Sequence, residues 1–471
     1  MQKSVRRIAT ASVTALVLTA APGIAVAAPS ADAPSSAGAS PAAAAGAALF
    51  TYVGSQPPSS FKPGDVLKKR TLKYHVLGIP TAVEAVQLLF RTTDAQNRPS
   101  AGVTTVVRSA TSDGSKAVSY QSFYDSLNPE HGPSRAIAGD VSLGGAIANA
   151  ETVFIVPLLL AGYDVIIPDT EGQTANFAAG PEYGYNTLDS IRAARSSAAQ
   201  TGIRPDARFG LIGYSGGAIA TNWAAALAPD YAPDVNRHLV GYAEGGLLVK
   251  PSHNLEYVDG SLVWSGVIPM AVIGVARAYD IDLKQYMSDY GKSVYDKVEH
   301  ASIADTLGRY PGLTWKKMAK PEFADPNSVP EFVEAVNRIN LGSAPTPDVP
   351  GYIAQGNGGV AEGTFNNPPG IGTGDGVMVA GDVRALARQY CATGSAAIKY
   401  QQYNALSHVA TPLPWAPTAL RWLDDRFAGK AAPSDCGRIA PGNSLAPEQP
   451  VLHSPQQPLR IPHNYPTTQG R

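Results

Sequence analysis

Arg208-Phe209-Gly210-Leu211-Ile212-Gly213-Tyr214-Ser215-Gly216-Gly217-Ala218-Ile219-Ala220-Thr221-Asn222-Trp223 reads as a short apolar strand, a tight turn and the start of a helix. At its centre stands Gly-x-Ser-x-Gly, with strand before and helix after. Such a turn forces its serine into a strained backbone conformation and lifts the hydroxyl clear of the sheet, while glycines two residues away let neighbouring chain pass. The helix N-terminus below Ser215 favours developing negative charge, and the Gly216 N–H points to the same place. Ser215 is therefore the expected nucleophile of an acyl-transfer reaction.

Working outward, strand-like and helix-like runs alternate. Val83 to Arg91, Val103 to Ala110 and Ala117 to Tyr124 read as strands, and Asp113-Gly114 is a hairpin turn signal. Helix-like Ile147 to Leu160, strand Tyr163 to Pro168 and helix Asn186 to Ala199 precede the serine turn; helix Gly217 to Leu227 and strand Leu239 to Ala243 follow it. This order predicts an α/β fold with a mostly parallel sheet covered on both faces. Residues 246–343 break the alternation with helix-like segments, including the apolar run Leu262 to Ala276, and predict an inserted helical cap. Strand Tyr352 to Gln355, helix Val379 to Tyr390, strand Ile398 to Tyr403 and helix Thr418 to Phe427 resume it. The core thus spans 49–245 and 344–440.

A serine nucleophile needs a base, and on folds with this turn the acid and then the histidine follow the serine along the chain. Of eight histidines, His75 and His131 precede Ser215, His238 and His253 follow it too closely, His300 lies in the insertion, and His453 and His463 lie in a proline-rich end. His408, shortly after strand Ile398 to Tyr403, remains. The acid is expected one strand earlier, before a helix. Asp375 in Gly372-Thr373-Gly374-Asp375-Gly376-Val377 fits; Asp382 in Gly381-Asp382-Val383-Arg384 reads as a helix-start acid with a structural role. Gly356 to Gly370 reads as a loop insertion. Its Gly356-x-Gly358 lacks the following helix that a dinucleotide site needs.

Composition narrows the class. The chain has 471 residues, 37 Lys plus Arg against 38 Asp plus Glu, and only 16% charged residues, so no charge excess points to nucleic acid. Glycine (46) and proline (39) are abundant, partly at the ends. Lys3, Arg6 and Arg7 before the apolar run Ile8 to Ala21, then Ala25-Val26-Ala27, predict an export signal over 1–27, and the run is too short for a transmembrane segment. Residues 28–48, rich in Ala and Pro, read as a flexible leader, and 441–471 as an extended or disordered tail. Cys391 and Cys436 suit one disulfide in a secreted, extracellular protein. No metal ligand set is visible, no cofactor is implied, and a monomer is expected.

Val165-Ile166-Ile167-Pro168-Asp169-Thr170-Glu171-Gly172 together with Gly213-Tyr214-Ser215-Gly216-Gly217-Ala218 and Ala220-Thr221-Asn222-Trp223-Ala224 resembles the secretory lipase family of lipase A type, over roughly Gly54 to Cys436. The resemblance implies an α/β-hydrolase fold with a helical cap, and a triad of Ser215, Asp375 and His408. It implies also that Asp169 supplies a second oxyanion donor beside Gly216. Cys391 and Cys436 fall where the family's C-terminal disulfide lies, bracketing His408; the family's usual further disulfide has no cysteines here. The implied substrate is a lipid ester such as triacylglycerol, met at a lipid–water interface. A carboxylesterase on small soluble esters, a serine peptidase and a silent binding protein are the competing readings.

Overall fold

The computed structural model describes residues 49–393 and 396–451; the expected export signal and leader, and the tail beyond Val451, lie outside them. Nine strands form one sheet among the described residues: β1 (Val66–Val76), β2 (Ile79–Thr93), β3 (Pro99–Val107), β4 (Lys116–Gln121), β5 (Asp164–Pro168), β6 (Arg208–Tyr214), β7 (Leu239–Gly245), β8 (Gly351–Gly356) and β9 (Ile398–Tyr403), in spatial order β1-β2-β3-β5-β4-β6-β7-β8-β9. The first three are antiparallel to their neighbours, and from β5 onward all pairs are parallel. The helices of eight or more residues are α1 (Thr152–Leu160), α2 (Gly180–Ser196), α3 (Gly216–Tyr231), α4 (Pro251–Val258), α5 (Val267–Ala278), α6 (Asp289–Val298), α7 (Pro330–Arg338), α8 (Ala380–Thr393) and α9 (Pro412–Phe427).

The parallel strands are apolar because both faces are covered. Tyr183, Leu188 and Ile191 of α2, Ile219 and Trp223 of α3 and Val383, Leu386 and Tyr390 of α8 pack on one face against Phe209, Leu211 and Ile353. Ile155 and Leu158 of α1 and Trp415, Trp422 and Phe427 of α9 cover the other, against Val118, Val165, Ile212 and Tyr352. Between β7 and β8 the expected cap appears, with α4 to α7 around a separate apolar core of Trp264, Met270, Ile273, Val294 and Val298.

Three expectations need correcting. The turn at Asp113-Gly114 joins β3 to β4 but makes no hairpin, because β5 lies between them and pairs with both; a local turn signal carries no information about a strand that begins only at Asp164. The helix-like run Ile147 to Leu160 is broken at Glu151, whose carboxyl is turned inward to accept from Tyr120 Oη, Ser122 Oγ and the Phe123 N–H. Finally, the start of the tail is extended but not free. The Asn443 amide donates to Asp382, Asn340 to the Leu445 carbonyl, and Glu448 pairs with Lys250 at 2.8 Å and accepts from Ser252. These groups sit on core and cap, so the segment is a strap across both.

Candidate active site

Ser215 stands between the end of β6 and the start of α3 with φ 54° and ψ −121°, a conformation costly for any residue with a side chain. A Cβ on Gly213 would lie 2.1 Å from the Gly217 carbonyl oxygen, and one on Gly217 2.1 Å from that of Gln121, so the turn closes only around glycine. The Ser215 N–H donates to the Gly245 carbonyl at 2.9 Å, tying the turn to the next strand.

The loop after β9 delivers His408, and that after β8 delivers Asp375. His408 Nε2 lies 2.7 Å from Ser215 Oγ, and His408 Nδ1 2.8 Å from Asp375 Oδ2. All three residues are buried. Asp375 is fixed by the Gln355 amide on Oδ2 and by the Val377 and Met378 N–H groups on Oδ1. Its own carbonyl accepts the His408 N–H at 2.8 Å, so the two residues are linked through backbone as well as side chain. Burial opposes the His408 imidazolium, yet the carboxylates of Asp375, Glu362 and Asp125 outweigh it and hold the pKa above its ordinary value. A Cβ on Gly356 or Gly358 would strike the Leu406 or Ala405 carbonyl, so these glycines, which mimicked a dinucleotide motif, let the His408 loop approach. Asp382 bonds His253 and Asn443, joining α8 to α4 and the strap.

Asp169 does not face the reaction centre as a donor. Its N–H bonds the Val103 carbonyl, and its carboxylate accepts from the Ser134 N–H. The neighbouring Glu171 accepts from the Ser126 N–H and Tyr183 Oη. This motif therefore braces the loop after β4. At the centre of that loop stands Asp125, buried, with φ 36°. Its side chain occupies the space a Cβ on Gly216 would need, 1.8 Å from Oδ1. Glu151 grips Ser122 and Phe123 on one side of Asp125, and Glu171 grips Ser126 on the other. Burial raises the Asp125 carboxyl to about 7, against the pull of His408. Nothing in Ser122-Phe123-Tyr124-Asp125-Ser126 marks it as functional; the signal is positional, the first acid past the carboxyl end of the strand beside β6.

Above the triad, the Trp264 indole stands edge-on to the His408 ring, 5.1 Å between centroids. Inside the cap, Ile268, Ala271, Val272 and Val275 of α5 face Leu255, Trp315, Phe332 and Val336 across an apolar cavity of about 100 Å³. The disulfide joins Cys391 to Cys436, closing the segment that carries β9, His408 and α9. Among the described residues, no cluster of His, Cys, Asp or Glu could hold a metal ion, and no helix is long and apolar enough to cross a membrane.

The model of the family described as "Secretory lipase" matches residues 139–362 and 368–435. Lipase 6 of Candida albicans is 32% identical over 395 residues, covering 80% of each chain. A Mycobacterium tuberculosis protein named "Probable inactive lipase" is 32% identical over 385 residues, 79% of this chain and 81% of its own. In fold, Candida antarctica lipase A in its closed state superposes with a TM-score of 0.70 at 24% identity, over 82% of this chain and 87% of that one. With a serine turn, a mostly parallel sheet and an inserted cap all in place, the chain belongs to the secretory lipase family, an α/β-hydrolase of the lipase type acting on carboxylic esters.

Proposed function

We propose that the chain is an exported lipase that hydrolyses lipid esters through Ser215, His408 and Asp375. The observation that carries this reading is the continuous hydrogen-bonded chain from Asp375 through His408 to Ser215, 2.8 and 2.7 Å long at its two links. Since a relative of equal similarity is named "Probable inactive lipase", this reading is supported by the chain's own residues and not by membership alone. Ser215 Oγ attacks the ester carbonyl carbon while its proton passes to His408 Nε2, and Asp375 steadies the imidazolium. His408 then protonates the departing alkoxide, leaving an acyl-serine. Water repeats the sequence and frees the acid.

The oxyanion is received by two backbone N–H groups. Gly216 is the first residue of α3, so its N–H has no partner within the helix. Asp125, whose carboxyl lies against Gly216 and whose loop is held on either side by Glu151 and Glu171, supplies the second from its backbone. Asp125 thus takes the role first assigned to Asp169. An apolar cap interior, with the Trp264 ring of the cap against His408, favours a hydrocarbon acyl group over a peptide or a charged substrate. Export is supported by the amino-terminal signal pattern and the disulfide.

The deciding experiment is labelling with an organophosphate followed by hydrolysis assays. Wild-type protein is expected to label and Ser215→Ala is not, with ester hydrolysis lost in parallel. Emulsified long-chain triacylglycerol is expected to be cleaved faster than a soluble short-chain ester. The reverse order would make the chain a carboxylesterase, and hydrolysis retained in Ser215→Ala would remove the nucleophile.

A further inference from the structure

Glu362 lies in the glycine-rich stretch before Asp375, at the end of the short turn Gly359–Glu362. Its carboxylate has two donors on separate parts of the chain. Oε1 accepts from the Val409 N–H at 2.8 Å, the residue after His408. Oε2 accepts from Trp264 Nε1 at 2.6 Å, the cap indole whose ring stands against His408. A Cβ on Gly376, the residue after Asp375, would fall 2.8 Å from the same oxygen. One carboxylate therefore meets the chain beside the acid, the chain beside the base and the cap residue that covers the base.

We propose that Glu362 is a positioning residue for His408: it fixes the backbone at Val409, holds Trp264 over the imidazole and supplies a second negative charge that favours the imidazolium formed during acyl transfer. The proposal rests on the hydrolytic reading above. The charged groups that act on His408 are Asp375, Glu362 and Asp125, all acidic; Tyr214 meets it through a hydroxyl on the His408 carbonyl and Trp264 through its ring. Removing one negative charge must then make His408 easier to deprotonate. Removing the indole N–H, which partly neutralises the Glu362 charge, must do the opposite.

The test is the pH dependence of organophosphate labelling and of kcat/KM for a soluble ester in the full-length wild type, Glu362→Gln and Trp264→Phe, each checked for folding by circular dichroism. Glu362→Gln is expected to move the acid limb to lower pH by about half a unit or more, the scale of losing a nearby opposite charge, with kcat reduced more than KM is changed. Trp264→Phe is expected to move the limb upward, and this arm stands alone should Glu362→Gln not fold. An acid limb unmoved in a folded variant, or moved the same way by both, overturns the proposal. Wild-type protein that does not label at all refutes the nucleophile instead and is thereby told apart.

Discussion

At Ser215 the chain holds a side-chain-bearing residue at positive φ, and the neighbours that permit this are glycines with no room for a methyl group. Gly216 is the most instructive, because the atom its Cβ would strike belongs to Asp125. Gly216→Ala is expected to displace the Asp125 loop and lower kcat on the order of a hundredfold, about 3 kcal/mol of transition-state stabilisation, as for loss of one oxyanion donor; stopped assays at saturating ester would measure it. His408 gives a second outcome at this scale. It must be neutral to accept the Ser215 proton, and its pKa is held up, so the acid limb of kcat/KM should lie above the ordinary histidine value, with activity falling as pH drops through it. Ser215, Asp375 and His408 were legible because chain order, strand ends and elimination constrain them. Asp125 was not, since its role comes from a sheet register that places the end of β4 beside β6. Asp169 and Glu171 were visible as a motif, but their partners, Ser134 and Ser126, lie more than 30 residues away.

Among elements, the strands and helices from β4 to α9 were largely foreseeable, because burial on both faces leaves uninterrupted apolar runs. The insertion of β5 between β3 and β4 was not, as nothing in either strand records its neighbour. The apolar run Leu262 to Ala276 proves to serve two surfaces at once: Met270 and Ile273 of α5 enter the cap core, while Ala271 and Val272 line the cavity. At its leading end Trp264 reaches His408. The disulfide ties the end of α8 to Cys436, beyond α9. Replacing both cysteines by serine is expected to cost about 2–5 kcal/mol and to loosen the base first. Activity should therefore decline at temperatures where circular dichroism is unchanged, and simultaneous loss of both signals would count against this order.

Across the whole molecule, the acids bracing the site are buried and hard to ionise. Glu151 is raised by burial to about 8, so the folded protein holds a proton there that the unfolded chain has already released. Stability from this source must fall as pH climbs from the ordinary carboxyl range towards about 8. Glu151→Gln, which keeps an acceptor for Phe123 and carries no charge, is expected to flatten that decline: its melting temperature relative to wild type should improve between pH 5 and pH 8, as scanning calorimetry would show. A difference that is constant with pH would mean that Glu151 is not the source.

The strap from Pro441 to Val451 also bears on how the cap can move. Lys250 and Ser252 stand where the chain enters the cap, and Asn337 and Asn340 where it leaves; Glu448 and Leu445 bind both places. With its entrance and exit fastened to one peptide, the cap can swing as a whole only by carrying these strap contacts along or breaking them. For engineering, the span between the two fastenings is exchangeable only where Trp264, which lies within it, is kept against His408.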